Sequence, residues 1–300
     1  MSRILILSDG RAGHLQQSVA FAKHLELPYD IVEVSPRFGW SKVVALLCDR
    51  ISCYLPWWFK HDPIPQAQYG YVVGAGSGTY YMVKYIAKKL GVKSATMMLP
   101  KGYRYDYDLI LAQSHDNPPE LPQIKPLPVN LSYTQPEGIF KTEGRPAVGV
   151  IIGGENDLYR MTEGAMRVYL DEIVRRYGKS HTIAVTTSPR TPPSIEALVA
   201  SYGFDYTVIY SQEKSNPIPD FLAQCETVFI TVDSTSMISQ AVSYGKSYVV
   251  VLPLERVKEG KHQRFVETLE QGEYLHLYDG SIKHRNRKID LKRLLQKALA

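Results

Sequence analysis

Residues 227–253 constrain the fold more than any other stretch of this chain. They open as a short β-branched, apolar run from Thr227 to Val232 and then pass through Asp233-Ser234-Thr235-Ser236. Met237, Ile238, Ala241 and Val242 follow at helical spacing, and Gly245 stands where a helix C-cap belongs. Ser247 to Pro253 reads as the next buried strand. Strand, hydroxyl loop, helix and strand in that order are the unit from which parallel α/β sheets are built. The loop puts backbone N–H groups and three hydroxyls at a helix N-terminus, which suits a phosphate. The same residue types also make ordinary N-caps, so both readings stand at this point.

The same pattern opens the chain. Ile4 to Leu7 predicts a buried parallel strand, residues 8–14 a loop, 17–25 a helix and 29–34 a second strand. The loop holds Asp9, Arg11 and His14 around Gly10 and Gly13, and ligands of open α/β sheets sit at the carboxyl ends of strands. His14 is a candidate general base because its ordinary pKa lies near working pH, with Asp9 to orient it or to act itself. The competing reading makes Asp9 a helix cap and His14 a surface residue. Residues 69–79 predict a strand ending in Gly74, Gly76 and Gly78, followed by a helix over 80–90. These glycines imply close backbone approach to a ligand or a facing domain. They do not spell the dinucleotide fingerprint, since the third glycine comes too early and no acidic residue follows the next strand, so no nicotinamide cofactor is expected. Strands over 95–99 and 109–112 end in polar loops. The second loop carries His115 and Asp116, an acid/base pair or simply a turn.

Residues 118–146 are rich in proline and poor in periodicity, which predicts a linker and a domain boundary near Gly144. Residues 147–154 restart the pattern with an apolar strand and Gly153-Gly154. A helix over 162–177 and a strand over 182–186 lead to Thr187-Ser188-Pro189-Arg190-Thr191-Pro192. An arginine among hydroxyls there makes an anion site, or an exposed turn stiffened by proline. Helices over 195–202, 219–224 and 289–299 and a strand over 206–210 complete the layout. The expected fold class is α/β, with two Rossmann-like lobes and a central cleft.

Bulk properties narrow the function. The 300 residues are 44% hydrophobic and 22% charged, enough for two cores. A net charge of +5 suits a nucleotide, an acidic lipid surface or an anionic polymer. No Lys/Arg run or aromatic–basic ladder is present, so a nucleic-acid partner is not expected. Cys48, Cys53 and Cys225 have no metal spacing and cannot all pair, which points to a reducing compartment, and no metal site is expected. The N-terminus is too short a hydrophobic run for a signal peptide and no apolar run spans a bilayer, so a cytoplasmic protein is expected. Val43 to Phe59 crowds apolar and aromatic residues beside Lys42, Arg50 and Lys60. It reads either as a peripheral contact with the inner face of the cytoplasmic membrane or as a helix packed on its own core.

Several of these motifs follow one another in a familiar order. They are Ser8-Asp9-Gly10-Arg11-Ala12-Gly13-His14 with Gln17-Ser18, Ile152-Gly153-Gly154, Thr187 to Pro192, Val232 to Ser239, and Lys261-His262-Gln263-Arg264-Phe265. Across nearly the whole chain this order resembles the elongated-mitochondria fission-factor-like family, whose bacterial members are treated as glycosyltransferases. That family is similar to the GT-B glycosyltransferases, the two-lobed class that includes the N-acetylglucosaminyltransferase of peptidoglycan synthesis. The resemblance implies metal-independent transfer of a sugar from a nucleotide-sugar donor, without a cofactor, to a cell-envelope polysaccharide or lipid-linked acceptor. It implies an acceptor-side domain over residues 1–144 and a donor domain over 145–300, with the terminal helix free to return to the first.

By the same resemblance Gly153 and Gly154 line the donor cleft, and Ser188, Arg190 and Thr191 face the phosphates. Ser234, Thr235 and Ser236 bind phosphate at the helix N-terminus. Gln240 stands where the family commonly has Glu, and in related transferases a Glu there holds the ribose; Gln can still hydrogen-bond a hydroxyl, without the charge. Asp9 and His14 supply the base on the acceptor side; Arg11, Gly76, His115 and Asp116, at strand ends of the same domain, are further acceptor-side candidates from the residues themselves. Residues 75–79 lack the arginine expected beside the glycine. A base on the acceptor favours inversion, and a cation with helix N–H groups would stabilise the leaving phosphate. Two other readings remain. One is a nucleotide-sugar epimerase or hydrolase of the same shape. The other is a non-catalytic adaptor, as plant relatives act in mitochondrial fission by recruiting a dynamin-type protein. Asp9, His14, Arg190 and the 234–236 loop, all at strand ends, favour an enzyme.

Overall fold

The computed structural model describes residues 2–299 and divides the chain into two compact units. The first runs to Tyr133 and takes the chain back from Asp290; the second is Thr134–Ile289.

The first unit contains β1 (Arg3–Ser8), α1 (Ala12–His24), β2 (Tyr29–Pro36), α2 (Ser41–Arg50), a 3-10 turn (Pro56–Trp58) and β3 (Phe59–His61). It continues with β4 (Tyr69–Gly74), α3 (Tyr80–Leu90), β5 (Lys93–Thr96), β6 (Leu109–Gln113), a 3-10 turn (Ser114–Asp116) and β7 (Ile124–Leu127). The sheet order is β3-β2-β1-β4-β5-β6-β7, parallel throughout except for the antiparallel β2–β3 pair. Ile4 to Leu7 and Leu109 to Ala112 are continuous apolar runs because helices cover both faces of such a sheet, and all of them are buried. Gly91 ends α3 in the left-handed region, at φ +66°.

Two expectations change here. Helix α1 starts at Ala12, not Gln17, because Gly10 at φ +78° turns the chain at once into the helix. Gly13 and His14 therefore lie in its first turn. The stretch expected to be a linker also holds β7, an edge strand, where Pro126 is tolerated because only one side of the strand is paired.

The second unit contains β8 (Ala147–Ile151), β9 (Tyr159–Arg160), α4 (Glu163–Tyr177), β10 (Thr182–Thr186), α5 (Pro193–Ser201) and β11 (Tyr206–Val208). It continues with α6 (Ile218–Gln224), β12 (Thr227–Thr231), α7 (Thr235–Ser243), β13 (Tyr248–Leu252), β14 (Glu255–Arg256), α8 (Lys261–Gln271) and β15 (His276–Leu277). Its main sheet, β11-β10-β8-β12-β13-β15, is fully parallel, and β9 and β14 form a small antiparallel ribbon. Gly245 sits at φ +72°, and a Cβ there would stand 1.9 Å from the Leu222 carbonyl oxygen, so only glycine fits.

The boundary lies at Tyr133/Thr134, ahead of Gly144. The reason is local bonding within the second unit. The buried Asp220 carboxylate accepts the N–H groups of Gly138 and Ile139 at 2.9 and 3.1 Å, and Gln224 accepts that of Thr142 at 3.1 Å. Phe140 packs edge-on against Phe221. The last helix, α9 (Leu291–Leu299), belongs to the first unit, where it packs on α1 and Lys292 pairs with Glu26.

Two lysines hold elements in place. In the first unit, buried Lys84 of α3 donates to Asp49 of α2 at 2.6 Å and to the Arg104 carbonyl at 2.9 Å, and pairs with Asp106. Its ammonium lies 4.5 Å from the Tyr107 ring centroid. Asp49 is fully buried and also accepts the Arg104 N–H at 2.7 Å. Lys84→Met leaves that carboxylate without its cation, and is expected to lower unfolding free energy by about 3–5 kcal/mol in denaturant titration.

In the second unit, Lys288 donates to the Ala241 and Ser247 carbonyls at 2.7 and 2.9 Å, and burial pushes its ammonium down to about 8. Between that value and the ordinary 10.5, the unfolded chain binds a proton that the folded one does not. The stability of the protein relative to Lys288→Met is therefore expected to rise with pH across this window, as read by unfolding at each pH.

Candidate functional site

In each unit the first strand lies between a strand that follows it closely and one that comes after the order reverses. These switch points are β1/β4 and β8/β12, and the loops leaving the carboxyl ends of those strands open a crevice there.

In the first unit, β1 delivers Ser8 and Asp9 to that edge, and the Ser8 hydroxyl accepts the Gly10 N–H at 3.1 Å. The Asp9 carboxylate oxygens lie 3.1 and 3.0 Å from Nδ1 of His14, in the first turn of α1. The two side chains are 9% and 19% exposed, so the pair is sheltered yet open on one side. The glycine loop after β4 lies directly against it. A Cβ on Gly76 would stand 2.2 Å from His14 Nδ1, and one on Gly78 would stand 2.6 Å from Asp9 Cβ. Gly76 also sits at φ +83°. The Thr79 hydroxyl braces this loop on the Ala75 and Gly76 carbonyls, each at 3.1 Å. With the carboxylate on Nδ1, the tautomer that donates there leaves Nε2 as the basic atom.

Other residues of this edge take clear places. Arg11 is exposed at the N-cap position of α1, its backbone N–H on Asp9 at 3.3 Å. His115 and Asp116 lie in the 3-10 turn after β6, where Asp116 accepts from Lys101 at 3.1 Å. Tyr80 was not foreseen. Its phenol is buried, well above the ordinary tyrosine range through desolvation, and both Asp116 and Asp9 act on it. The signal was available: an aromatic residue directly after a glycine loop. Buried Gln113, expected only as part of the polar loop with His115 and Asp116, donates to Gln17 at 3.1 Å and to the Met97 carbonyl at 3.2 Å, joining α1 to the loop after β5.

In the second unit the organising residue is Asp233, assigned no role from sequence. Its side chain is fully buried. One oxygen accepts from the Thr231 hydroxyl at 2.7 Å; the other accepts the Gly154 N–H at 3.0 Å and Nη2 of Arg190 at 2.8 Å. Thr231 also accepts the Gly153 N–H at 2.7 Å, and Asn156 donates to the Asp233 carbonyl at 3.1 Å. Burial raises the Asp233 pKa, and these donors oppose that shift. A Cβ on Gly153 would lie 2.2 Å from the Asp233 carboxylate, and one on Gly154 would lie 2.0 Å from the Arg190 carbonyl oxygen. The glycines are therefore required by the packing of the loop itself.

Ser188 and Thr191 differ from expectation. The Thr191 hydroxyl accepts the Ser188 N–H at 2.8 Å and donates to the Gly153 carbonyl, while the Ser188 hydroxyl accepts the Arg190 N–H at 3.2 Å. Both shape the loop, because buried backbone groups there need partners. Arg190 stands on this loop with its side chain 43% exposed and one guanidinium nitrogen on Asp233. Ser234 caps α7, accepting the Met237 N–H at 3.4 Å; Thr235 is half-buried, Ser236 exposed and Gln240 half-buried. Beside Val232 lies a cavity of about 310 Å³ with an apolar wall of Val232, Leu254, Val266 and Leu277. Tyr159, Pro253, Arg256, Gln263 and Glu267 complete it.

The family profile described as mitochondrial fission ELM1 matches residues 12–297. The chain belongs to this ELM1 family. Protein RP120 of Rickettsia prowazekii (strain Madrid E), itself uncharacterized, is 22% identical over 93% of this chain and 91% of its own length. A Listeria monocytogenes structure assigned as a UDP-N-acetylglucosamine 2-epimerase superposes with a TM-score of 0.53 at 11% identity, covering 99% of this chain and 87% of its own. S. aureus MnaA with UDP gives 0.50 at 11% identity, covering 100% and 87%. These likenesses concern the fold: this ELM1-family chain is of the GT-B-like class, built from two Rossmann-like units.

Gly76→Ala is expected to displace the His14 ring and to lower stability by about 1–3 kcal/mol. Gly13→Ala, with open space around its Cβ, is expected to be neutral or stabilising by up to about 1 kcal/mol. Thermal unfolding of the two variants checks both.

Proposed function

We propose that this ELM1-family protein is a glycosyltransferase that moves a sugar from a nucleotide-sugar donor to a cell-envelope polysaccharide or lipid-linked acceptor, with inversion and without a metal. The observation that carries the reading is the pair of polar assemblies at the two switch points: Asp9–His14 against the Gly76 loop, and Asp233–Arg190 with Gly153 and Gly154 beside the α7 N-terminus. In the first unit, His14 Nε2 takes the proton of the acceptor hydroxyl while Asp9 steadies the imidazolium. The acceptor oxygen attacks the anomeric carbon, and the bond from that carbon to the phosphate oxygen breaks. The nucleotide leaves with the electron pair, its charge met by Arg190 and the N–H groups of α7. The cavity of about 310 Å³ beside Val232, apolar with a polar rim, suits a ring of the donor. S. aureus MnaA, of similar fold, is seen with UDP, which supports a nucleotide ligand. A second reading, a nucleotide-sugar epimerase or hydrolase, takes its support from the assignment of the Listeria protein and shares the same donor.

Thermal shift against UDP, GDP, ADP, CMP and their sugars tests the donor. One nucleotide is expected to stabilise the protein by about 2.7 kcal/mol at a hundredfold excess over Kd, and Arg190→Ala to lose that shift. His14→Ala is expected to keep the shift while turnover falls about 10²–10⁴-fold. Product formed without acceptor would favour the epimerase or hydrolase. No shift with any nucleotide would sink the transferase and leave the adaptor.

A further inference from the structure

The first unit bears a surface apart from the polar assemblies described above. Seven of the fifteen large hydrophobic side chains exposed among the described residues fall within residues 38–57. Val43 and Leu47, one turn apart on α2, are 61% and 54% exposed, and Trp57 is 70% exposed. Phe38 and Trp40 stack on one another with centroids 5.0 Å apart. Apolar exposure concentrated in this way marks an interaction site. It cannot be relieved by rolling the helix. The opposite face of α2 is fixed by buried Ser41, Ala45 and Asp49, the last of them held by Lys84.

Within residues 37–60 the exposed charges have one sign. Arg37, Lys42, Arg50 and Lys60 lie in the same segment, and its one acidic residue, Asp49, is buried and neutralised by Lys84. A groove of about 680 Å³ runs between aromatic walls from Phe38, Trp57 and Trp58, with Arg37, Lys60 and His61 along it. Aromatic and aliphatic side chains beside cations of one sign are the composition of segments that lie in a membrane interface. There the rings sit at headgroup level and the cations meet lipid phosphates. Among the described residues no helix is long and apolar enough to cross a membrane, so contact through this face would be peripheral.

We infer that this face seats the protein on an anionic phospholipid bilayer, with Val43, Leu47 and Trp57 entering the headgroup region and Arg37 and Lys60 on lipid phosphates. The inference does not rest on the transferase reading. Its test is sedimentation of the full chain with vesicles of phosphatidylcholine, alone or mixed with phosphatidylglycerol, at low and high salt and without nucleotide. Binding is expected on the anionic vesicles, weakened by salt and by about fivefold for each of Arg37→Gln and Lys60→Gln. Leu47→Ser with Trp57→Ser is expected to abolish it with the melting temperature unchanged, since both side chains are exposed. Absence of binding, equal binding to neutral vesicles, or binding indifferent to the Leu47/Trp57 pair overturns the inference. A concentration-dependent dimer dispersed by that pair, in place of vesicle binding, assigns the face to a second copy and overturns it as well. Nucleotide shift is read separately, so either result stands without the other.

Discussion

Parallel pairing at the centre of each sheet is the constraint on which the rest depends. Strand β1 lies between β2 and β4, and β8 lies between β10 and β12. A parallel neighbour requires a crossover over one face of the sheet, and reversing the direction of winding sends successive crossovers to opposite faces. The loops on either side of the reversal therefore part at the carboxyl edge. Within each unit, one polar assembly occurs at that edge.

Within this frame, buried carboxylates do much of the organising, and their partners decide what each one does. Asp49 meets a buried lysine and fastens two helices. Asp220 meets backbone N–H groups and ties down the chain that follows the first unit. Asp233 gathers a hydroxyl, a glycine N–H and a guanidinium, so that a loop, a strand end and an exposed cation take one geometry. Asp9 meets an imidazole that keeps an open side. A buried carboxylate without donors carries a penalty of several kcal/mol, so each of these arrangements is maintained by the need to satisfy it.

Membership of the ELM1 family and the GT-B-like class agree with the resemblance read from the motifs. The family motifs fall largely on the residues that make these assemblies. Gly153 and Gly154 are demanded by Asp233 and by the Arg190 backbone, and Gly76 by His14, which is why a glycine stands at each of these points. Ser188 and Thr191 carry the lesson in the other direction. The Thr191 hydroxyl both accepts and donates within the loop that presents the arginine, and the Ser188 hydroxyl accepts that arginine's N–H.

The sequence by itself determined the α/β class, the strand-loop-helix alternation and the glycine loops at the strand ends. Apolar runs, helical spacing and glycine punctuation are local and periodic, so they can be read residue by residue. It also marked Asp9, His14 and Arg190 as chemically capable groups. Only the tertiary structure decided that Asp9 orients His14 while Asp233, not a neighbouring hydroxyl, holds Arg190. It alone placed Tyr80 beside the first switch point and Gln113 between α1 and the loop after β5, put the boundary at Tyr133, and turned half of the aromatic stretch outward. Each of these depends on contacts between residues far apart in the chain, such as Asp233 with Gly154 or Asp49 with Lys84, and burial of a charge or an aromatic face is settled by what packs against it.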